Sequence, residues 1–274
     1  MSNVHQIHPL RFRSIFISDV HLGFRGCQAD LLLDFLHSTQ CEYLYLAGDI
    51  IDVWNMRRGV YWPQAHNNVL RSILGKAKHD TRVVFVPGNH DEVFREHVDM
   101  EFGNVEIREK AIHETADGKR LLVLHGDEFD SVVQCARFLS ILGNHAYDWL
   151  LTANRAVNGL RRRFGLGYWS LAAYLKNKVK NAVNYISNFE EAVVHAARKH
   201  EVDGLVCGHI HHASIRNIDD LLYLNCGDWV ESCTALVEHH DGRIELLRWA
   251  DMIREKEDAA VAGPELIGHT GTGG

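Results

Sequence analysis

Short apolar runs recur along the chain, and glycines or polar residues follow most of them. Short runs rich in β-branched and aromatic residues are typical of buried strands, whereas apolar residues spaced three or four positions apart indicate helices. The alternation of the two patterns predicts an α/β domain. The predicted strands are 14–18, 43–47, 82–86, 120–124, 204–207, 221–225, 233–238 and 243–249, and the predicted helices are 29–37, 64–78 and 189–200.

One long segment of helical character, at about 130–197, interrupts the strand pattern. We interpret this segment as a helical cap inserted over the strand ends. The C-terminal residues 256–274 are rich in glycine, alanine and threonine, which predicts a flexible tail. The expected organisation is therefore one domain at 14–255, with the cap inserted into it, and a tail at 256–274.

The composition limits the class of protein. With 274 residues, of which 46% are hydrophobic, the chain can bury a substantial core. Residues 1–14 lack the apolar core of a signal peptide, and no segment has the roughly 18 apolar residues needed to span a bilayer. The six cysteines lack C-x-x-C spacing, which favours reduced thiols over disulfides or a zinc finger. We therefore expect a cytoplasmic protein.

The charge is distributed unevenly along the predicted cap. The formal net charge is −7, which argues against a surface built to bind nucleic acid. Between Trp149 and Phe189, however, there is no Asp or Glu, and seven Arg or Lys residues alternate with large apolar side chains. Such a segment is either a solvated helix face or a surface for an anionic ligand with apolar parts, including the inner face of a membrane.

Five of the predicted strands are followed by clusters that combine carboxylates, imidazoles and an amide. This mixture of oxygen and nitrogen donors suits manganese, iron and zinc. Each cluster alone is more typical of a turn or a helix cap. Together, in order and each after a strand, they predict a two-metal hydrolytic centre. The clusters are Asp19-Val20-His21, Gly48-Asp49, Gly88-Asn89-His90-Asp91, His125-Gly126-Asp127 and Gly208-His209-Ile210-His211.

These motifs resemble those of the calcineurin-like metallophosphoesterases: D-x-H, G-D-x-x-D, G-N-H-D, a single H, and G-H-x-H. All five occur in order across residues 14–230. The resemblance implies a four-layer αββα sandwich of two mixed β-sheets with an inserted helical cap, and a metal site at the strand ends. It also implies two divalent metal ions that share a hydroxide for attack on phosphorus. We expect manganese, with iron and zinc as alternatives.

The resemblance also assigns metal ligands by motif position. Each metal receives three ligands of its own, and one carboxylate bridges the two metals. The expected ligands are Asp19, His21 and His211 for one metal and Asn89, His125 and His209 for the other, with Asp49 as the bridge.

The remaining motif residues are expected to act beside the metals. His90 is placed to donate a proton or a hydrogen bond to the leaving oxygen, and Asp91 is expected to hold the His90 ring in orientation. Asp52 and Asp127 are expected to play supporting roles.

Within this superfamily, the chain is most similar to the UDP-2,3-diacylglucosamine pyrophosphohydrolases of lipid A synthesis and their paralogues. The likeness rests on the start at 16–22, the cluster at 125–127, the helical insertion and the segment 225–229. It implies cleavage of a lipid-linked nucleotide diphosphate to UMP and a sugar phosphate, with the cap holding the acyl chains. The cap residues expected to bind substrate are Arg161, Arg162, Arg163, Trp169 and Lys176.

One position departs from that family, because His90 stands where those enzymes usually carry Arg. A paralogous phosphoesterase acting on another monoester or diester, such as a nucleotide or a phosphoprotein, therefore remains an alternative. A non-catalytic scaffold of the same fold is a further alternative. A nuclease is disfavoured, because it would be expected to have a longer basic groove and a further domain.

Overall fold

The computed structural model describes residues 9–129, 186, 189–190 and 192–262. The chain divides into two compact units, one of residues 1–127 and 197–274 and the other of residues 128–196. In the second unit, the rings of Phe129 and Phe189 meet edge to face with centroids 5.9 Å apart. Most of the cap predicted at 130–197 lies outside the described residues, so its helical character stays a prediction.

The described residues of the first unit form strands and helices in the predicted alternation. The helices are α1 (Ala29–Ser38), α2 (Val53–Met56), α3 (Gln64–Lys78) and α4 (Trp249–Ala262), and 3₁₀ turns lie at Glu92–His97 and Asp127–Phe129. The strands are β1 (Leu10–Ile17), β2 (Thr39–Ala47), β3 (Arg82–Val86), β4 (Glu101–Phe102), β5 (Val105–Ile107), β6 (Ala111–Glu114), β7 (Arg120–Val123), β8 (Gly204–Cys207), β9 (Ser214–Ile218), β10 (Leu221–Asn225), β11 (Thr234–Glu238) and β12 (Ile244–Arg248).

In the described part of the chain, the strands form two mixed sheets. The first has the order β12-β11-β1-β2-β3-β5-β4, and the second has the order β6-β7-β8-β10-β9. In the first sheet β1, β2, β3 and β5 run parallel, and in the second sheet β7, β8 and β10 run parallel. The predicted α/β fold with two mixed sheets is confirmed.

Among the described residues, two apolar cores hold these layers together. One contains side chains of both sheets, including Phe16 and Val84 from the first sheet and Val123 and Val206 from the second. The other packs the opposite face of the first sheet against α1, α3 and α4. Because both faces of β1, β2 and β3 are covered, these strands are apolar runs rather than alternating ones, which is why they stand out in the sequence.

Helices α1 and α3 each bury one face. In α1 the buried residues are Ala29, Leu32, Phe35 and Leu36, which have the spacing of one helical face. Helix α3 begins and ends at the predicted residues. Among the described residues, no helix has both the length and the apolar character to cross a membrane.

Three boundaries differ from the sequence prediction by more than two residues. Strand β2 begins at Thr39 rather than at residue 43. Strand β1 begins at Leu10 rather than at residue 14 and pairs with β2 over its whole length. The predicted tail is also too long at its start, because α4 continues to Ala262. The beginning of α4 is fixed by Trp249, which is buried in the core and whose Nε1 donates to Asp34 Oδ2 at 2.9 Å.

Candidate metal centre

The carboxyl ends of parallel strands from both sheets meet at one edge of the fold. Strands β1, β2 and β3 end directly before the clusters at 19–21, 48–49 and 88–91. Strands β7 and β8 of the second sheet end before His125 and Gly208. The topology therefore gathers all five predicted clusters at the position where α/β sheets hold their ligands.

Backbone hydrogen bonds join the first two clusters. The amide of Asp19 donates to the Gly48 carbonyl at 3.0 Å, and the amide of His21 donates to the Asp49 carbonyl at 2.9 Å. These bonds fix the two loops against each other. The backbone positions that carry the side chains of Asp19, His21 and Asp49 are therefore fixed relative to one another.

Five of the seven predicted ligands have left-handed backbone conformations, which are rare for residues other than glycine. Such strain persists only where the surrounding structure enforces it, and it is concentrated at functional sites. The φ angles are +52° for Asp19, +55° for His21, +54° for Asp49, +69° for His209 and +53° for His211.

Two glycines allow the loops to come this close. A Cβ atom on Gly48, whose φ is +89°, would collide with the ring of His125. A Cβ atom on Gly88 would lie 2.7 Å from Cδ2 of the same ring and would also meet Asp49. The His125 ring is therefore packed against backbone from two strand ends of the other sheet.

Asp49 lies at the centre of the cluster. Its Oδ2 is 3.4 Å from His125 Nε2, 3.9 Å from His21 Nε2 and 4.0 Å from His90 Nε2. Its Oδ1 accepts the backbone N–H of His90 at 2.8 Å. Asp49 is thus the carboxylate that imidazoles from three strand ends share.

Asp19 occupies the other side of the cluster. It is fully buried, its Oδ1 is 3.1 Å from His211 Nε2, and its Oδ2 accepts the backbone N–H of His209 at 2.9 Å. The ring of His209 meets the ring of His125 edge to face at 5.1 Å. The histidines of the fifth motif therefore lie with the side chains to which they were assigned.

Asp52 orients two imidazoles at once. Its Oδ2 is 3.0 Å from His21 Nδ1, and its Oδ1 is 2.9 Å from His90 Nδ1. Because a carboxylate only accepts hydrogen bonds, both Nδ1 atoms carry the proton and both Nε2 atoms point toward Asp49. Asp52 also accepts the backbone N–H of Asn55 at 2.9 Å, which caps α2.

The predicted partnership of Asp91 with the His90 ring is wrong. Asp91 is buried, and its carboxylate instead accepts backbone N–H groups of Gly88, Asp49, Ile50 and Ile51 at 2.6, 3.3, 2.8 and 3.2 Å. It ties the loop after β2 to the loop after β3. The spacing of G-N-H-D places Asp91 next to His90 in the sequence, but the reversal of the chain turns its side chain toward backbone.

The donor atoms at this edge fit a metal centre. His125 Nδ1 donates to the Ala47 carbonyl at 2.9 Å, which leaves a lone pair on Nε2. Among the described residues, the side-chain amide of Asn89 and the Nε2 of His21 are buried and have no hydrogen-bond partner. Buried polar atoms are almost always paired, so such atoms indicate a missing ligand.

Three overlapping groups of donor atoms could each surround a cation. In each group the candidate ligand atoms lie within 4.8 Å of one another. The donors are carboxylate oxygens and imidazole nitrogens, the mixture that manganese, iron and zinc accept. The groups are Asp19, His21 and His211; His21, Asp49 and His90; and Asp19, Asp49 and His125.

The electrostatics of this edge favour ionised carboxylates. Burial opposes the charge on Asp19, but His211 outweighs burial and lowers the Asp19 pKa to about 2. Burial likewise opposes the charge on His125, but Asp49 outweighs it and raises the His125 pKa to about 10. Without a cation His125 would hold a proton that a metal must displace, so metal binding at this residue is linked to proton release.

The pKa of Asp91 shifts in the opposite direction to that of Asp19. Burial and the neighbouring Asp49 carboxylate raise the pKa of Asp91 to about 6, against the effect of its backbone hydrogen bonds. Two nearby carboxylates that titrate apart are typical of functional sites.

Sequence reasoning gave no role to the residues that surround His90. The Trp54 ring lies 4.7 Å from the His90 ring, and 36% of the Trp54 surface is exposed. On the loop after the first cluster, the Arg25 guanidinium lies 4.5 Å from the centroid of the Tyr61 ring. The only sequence signal was the absence of Asp and Glu between Asp52 and Asp80. We call the exposed side chains of Phe24, Arg25, Trp54, Arg57 and Arg58 the rim.

The predicted substrate residues of the cap cannot be placed beside this site. Arg161, Arg162, Arg163, Trp169 and Lys176 lie outside the described residues. Their assignment stays a prediction.

The fold and the site together define a class: α/β proteins of two mixed sheets that gather carboxylates and imidazoles for metal at their strand ends. A family model described as calcineurin-like phosphoesterase matches residues 12–213. The chain belongs to the calcineurin-like phosphoesterase family.

Individual relatives are more distant. A UDP-2,3-diacylglucosamine hydrolase of Yersinia pseudotuberculosis is 25% identical over 220 residues, which cover 75% of this chain and 85% of that protein. The hydrolase of the same name from Blochmanniella pennsylvanica is 27% identical over 116 residues, 41% of this chain and 46% of that protein. The DNA polymerase II small subunit of Methanothermobacter thermautotrophicus is 26% identical over 170 residues, 49% of this chain. The match spans only 34% of that subunit.

The similarity to solved structures is weak. The hypothetical protein PH1004 from Pyrococcus horikoshii OT3 is 9% identical, with a TM-score of 0.45, and the match covers 94% of this chain and 96% of that one. This likeness carries no information about function.

Proposed function

We propose that the protein hydrolyses a phosphoester or diphosphate bond with the help of two divalent metal ions. The arrangement around Asp49 carries this proposal: one buried carboxylate lies 3.4 to 4.0 Å from imidazole nitrogens of His21, His90 and His125. Asp19, His21 and His211 would hold one metal, Asn89, His125 and His209 the other, with Asp49 shared. We propose manganese as the metal, because the site combines oxygen donors with imidazole nitrogen donors.

A bound metal pair supplies polarisation of the phosphoryl oxygens and a lowered pKa for water. The protein orients the residues that would hold the metals. Asp52 fixes the tautomer of His21, so that Nε2 is free to bind metal, and Asp91 locks the loop that carries Asp49. Both are buried, which keeps these contacts free of competing water.

His90 is the proposed donor to the leaving oxygen. Its Nε2 faces the same space as the ligands, and its Nδ1 is bonded to Asp52. Donation from Nε2 therefore requires a proton on both ring nitrogens, and Asp52 Oδ1 accepts the proton of Nδ1 at 2.9 Å. Trp54 packs on the ring and keeps it in place.

For the substrate we propose UDP-2,3-diacylglucosamine or a close analogue, with UMP and a lipid-linked sugar phosphate as products. The similarity to the Yersinia hydrolase over 85% of its length supports this choice. The rim, whose Trp54 ring packs on His90, combines arginines with exposed aromatic rings, which suits a substrate that has anionic and apolar parts. We further propose that the cap cations Arg161, Arg162, Arg163 and Lys176 meet the diphosphate or the inner face of a membrane, and that the apolar face with Trp169 covers the acyl chains.

The test is manganese-dependent turnover of UDP-2,3-diacylglucosamine by the purified protein, with the products identified by mass spectrometry. A soluble aryl phosphodiester serves as second substrate. Asp49→Asn removes the shared carboxylate charge, and Asp30→Asn, on the exposed first turn of α1, is the matched control. Release of UMP by the wild type and Asp30→Asn, but not by Asp49→Asn, supports the proposal.

If the protein cleaves the aryl diester alone, the proposal of a metal-dependent hydrolase stands, and the proposal of UDP-2,3-diacylglucosamine as its substrate is rejected. Absence of turnover on both substrates, in a protein that binds metal, would reject the hydrolase itself.

A further inference from the structure

One ion pair links the two sheets beside the candidate metal centre. Arg95 lies in the 3₁₀ turn Glu92–His97, directly after the cluster that follows β3. Its Nη2 is 2.8 Å from both Oδ1 and Oδ2 of Asp127, which follows β7 in the other sheet. The same Nη2 donates to the carbonyl of Pro87 at 3.2 Å.

These contacts join two loops that each carry a ligand assigned to the same metal. Pro87 lies two residues before Asn89, and Asp127 lies two residues after His125. Asn89 belongs to a loop of the first sheet, whereas His125 belongs to a loop of the second. The distance between these two ligands is therefore set across the gap between the sheets.

The other proposed metal does not depend on this link in the same way. Asp19 and His21 lie on one loop, which is bonded by backbone to the neighbouring loop of the same sheet. His211 reaches Asp19 directly at 3.1 Å.

We propose that Arg95 is a positioning residue: through Asp127 and the Pro87 carbonyl, it fixes Asn89 and His125 at the spacing that their metal requires. The inference rests on the proposed two-metal centre. Breaking the pair weakens the metal held by Asn89, His125 and His209 by about 10-fold, the usual effect of losing a contact that orients metal ligands. The affinity for the metal held by Asp19, His21 and His211 stays unchanged.

The experiment measures metal affinity and not turnover. The metal-free protein is titrated with Mn²⁺ by calorimetry, and bound metal is counted after dialysis against a fixed free concentration. The variants are Arg95→Ala, Arg95→Lys and the charge exchange Arg95→Asp with Asp127→Arg. Arg108→Ala is the control, because Arg108 forms ion pairs with Asp99, Glu101 and Glu106 at the far edge of the first sheet.

We expect Arg95→Ala to keep one Mn²⁺ at wild-type affinity and to bind the second about 10-fold more weakly. Arg95→Lys should fall between the wild type and Arg95→Ala, and the charge exchange should recover part of the loss. Arg108→Ala should bind both ions normally. Circular dichroism and the unfolding midpoint show whether each variant is folded.

Three results would overturn the proposal: unchanged affinity for both ions in Arg95→Ala, an equal loss of both ions in a folded Arg95→Ala, or the same selective loss in Arg108→Ala. If the wild type binds no Mn²⁺, the proposed function and this inference fail together. If the wild type binds two ions but cleaves no phosphoester, only the proposed function fails.

Discussion

Two regions of this protein bury several polar side chains, and they differ in how completely those side chains are paired. At the metal centre, the Asn89 amide and His21 Nε2 have no hydrogen-bond partner among the described residues. Around Glu238, between the sheets, each carboxylate oxygen has partners: Oε1 accepts from Arg13 and Ala116, and Oε2 from Ser14 and His113.

The Glu238 cluster continues through the His113 ring. His113 Nε2 is 2.8 Å from Glu238, and His113 Nδ1 is 3.0 Å from the Tyr45 hydroxyl. His113 extends from the second sheet and Glu238 from the first, so the cluster joins the sheets without any ligand. Complete pairing indicates a structural role, whereas unpaired buried polar atoms indicate a site that is completed by a ligand.

The largest effect that separates the two regions is expected from Asp49→Ala. Loss of the shared carboxylate removes the charge that offsets two cations, so metal loading and turnover should both collapse. We expect turnover to fall by about 10³-fold or more, because metals supply several kcal/mol to such reactions. Mass spectrometry of bound metal and steady-state kinetics measure both. A variant with two metals and normal turnover would refute the shared role.

The reverse outcome is expected from Glu238→Ala. Removal of this buried carboxylate leaves Arg13 and His113 without their anion and should cost about 3 kcal/mol of the free energy of unfolding. Metal content and turnover per folded molecule should stay at the wild-type level. Urea unfolding and metal analysis check the two halves of this expectation. A loss of metal in the folded variant would show that the two regions are coupled.

A comparable but chemically different effect is expected from His90→Asn. The variant should keep both metals and lose turnover by about 10²-fold, since it removes the proposed donor and no assigned ligand. Substrates with good leaving groups, such as aryl diesters, should be affected less than substrates with poor ones. Equal losses for both kinds of substrate would contradict a role at the leaving oxygen.

A smaller effect on metal binding is expected from Asp52→Asn. This change keeps the shape of the side chain but weakens its hold on the Nδ1–H of His21 and His90, and we expect metal affinity to fall about 10-fold. Calorimetric titration with Mn²⁺ measures it. Wild-type affinity in this variant would mean that Asp52 serves only as the cap of α2.

The smallest effect is a dependence of stability on pH. Burial opposes the charge on Glu238, but His113 and Ser14 outweigh it and lower the pKa from 4.5 to about 2. The stabilisation by an acid with a lowered pKa is complete above its unfolded-state pKa and is lost as pH falls toward the folded-state value. The metal-free protein should therefore lose stability between about pH 4.5 and pH 2, and Glu238→Gln should show a shallower loss over that range.

The sequence predicted the parallel strands better than the edges of the sheets. Strands β1, β2, β3, β7 and β8 are buried on both faces, so their apolar runs are visible, and each ends at a motif. Strands β4, β5, β6 and β9 were not predicted, because they are short or largely exposed and owe their existence to pairing with a neighbour. Strand Leu10–Ile17 was predicted too short, because its first residues are exposed.

The site shows a similar division. Motif spacing identified the residues that meet at the strand ends, including Asn89 and His209. It assigned the wrong partner to the His90 ring, because Asp52 approaches that ring from another loop. Where the chain reverses direction, residues that are adjacent in the sequence need not have side chains in contact. Arg95 and Trp54 have no motif, and only the folded chain shows what they contact.

The most direct test of the two-metal centre is anomalous X-ray scattering from crystals of the wild-type protein grown with Mn²⁺. We predict two manganese peaks on either side of Asp49, one beside Asp19, His21 and His211 and the other beside Asn89, His125 and His209. A single peak, or peaks away from Asp49, would contradict the central claim.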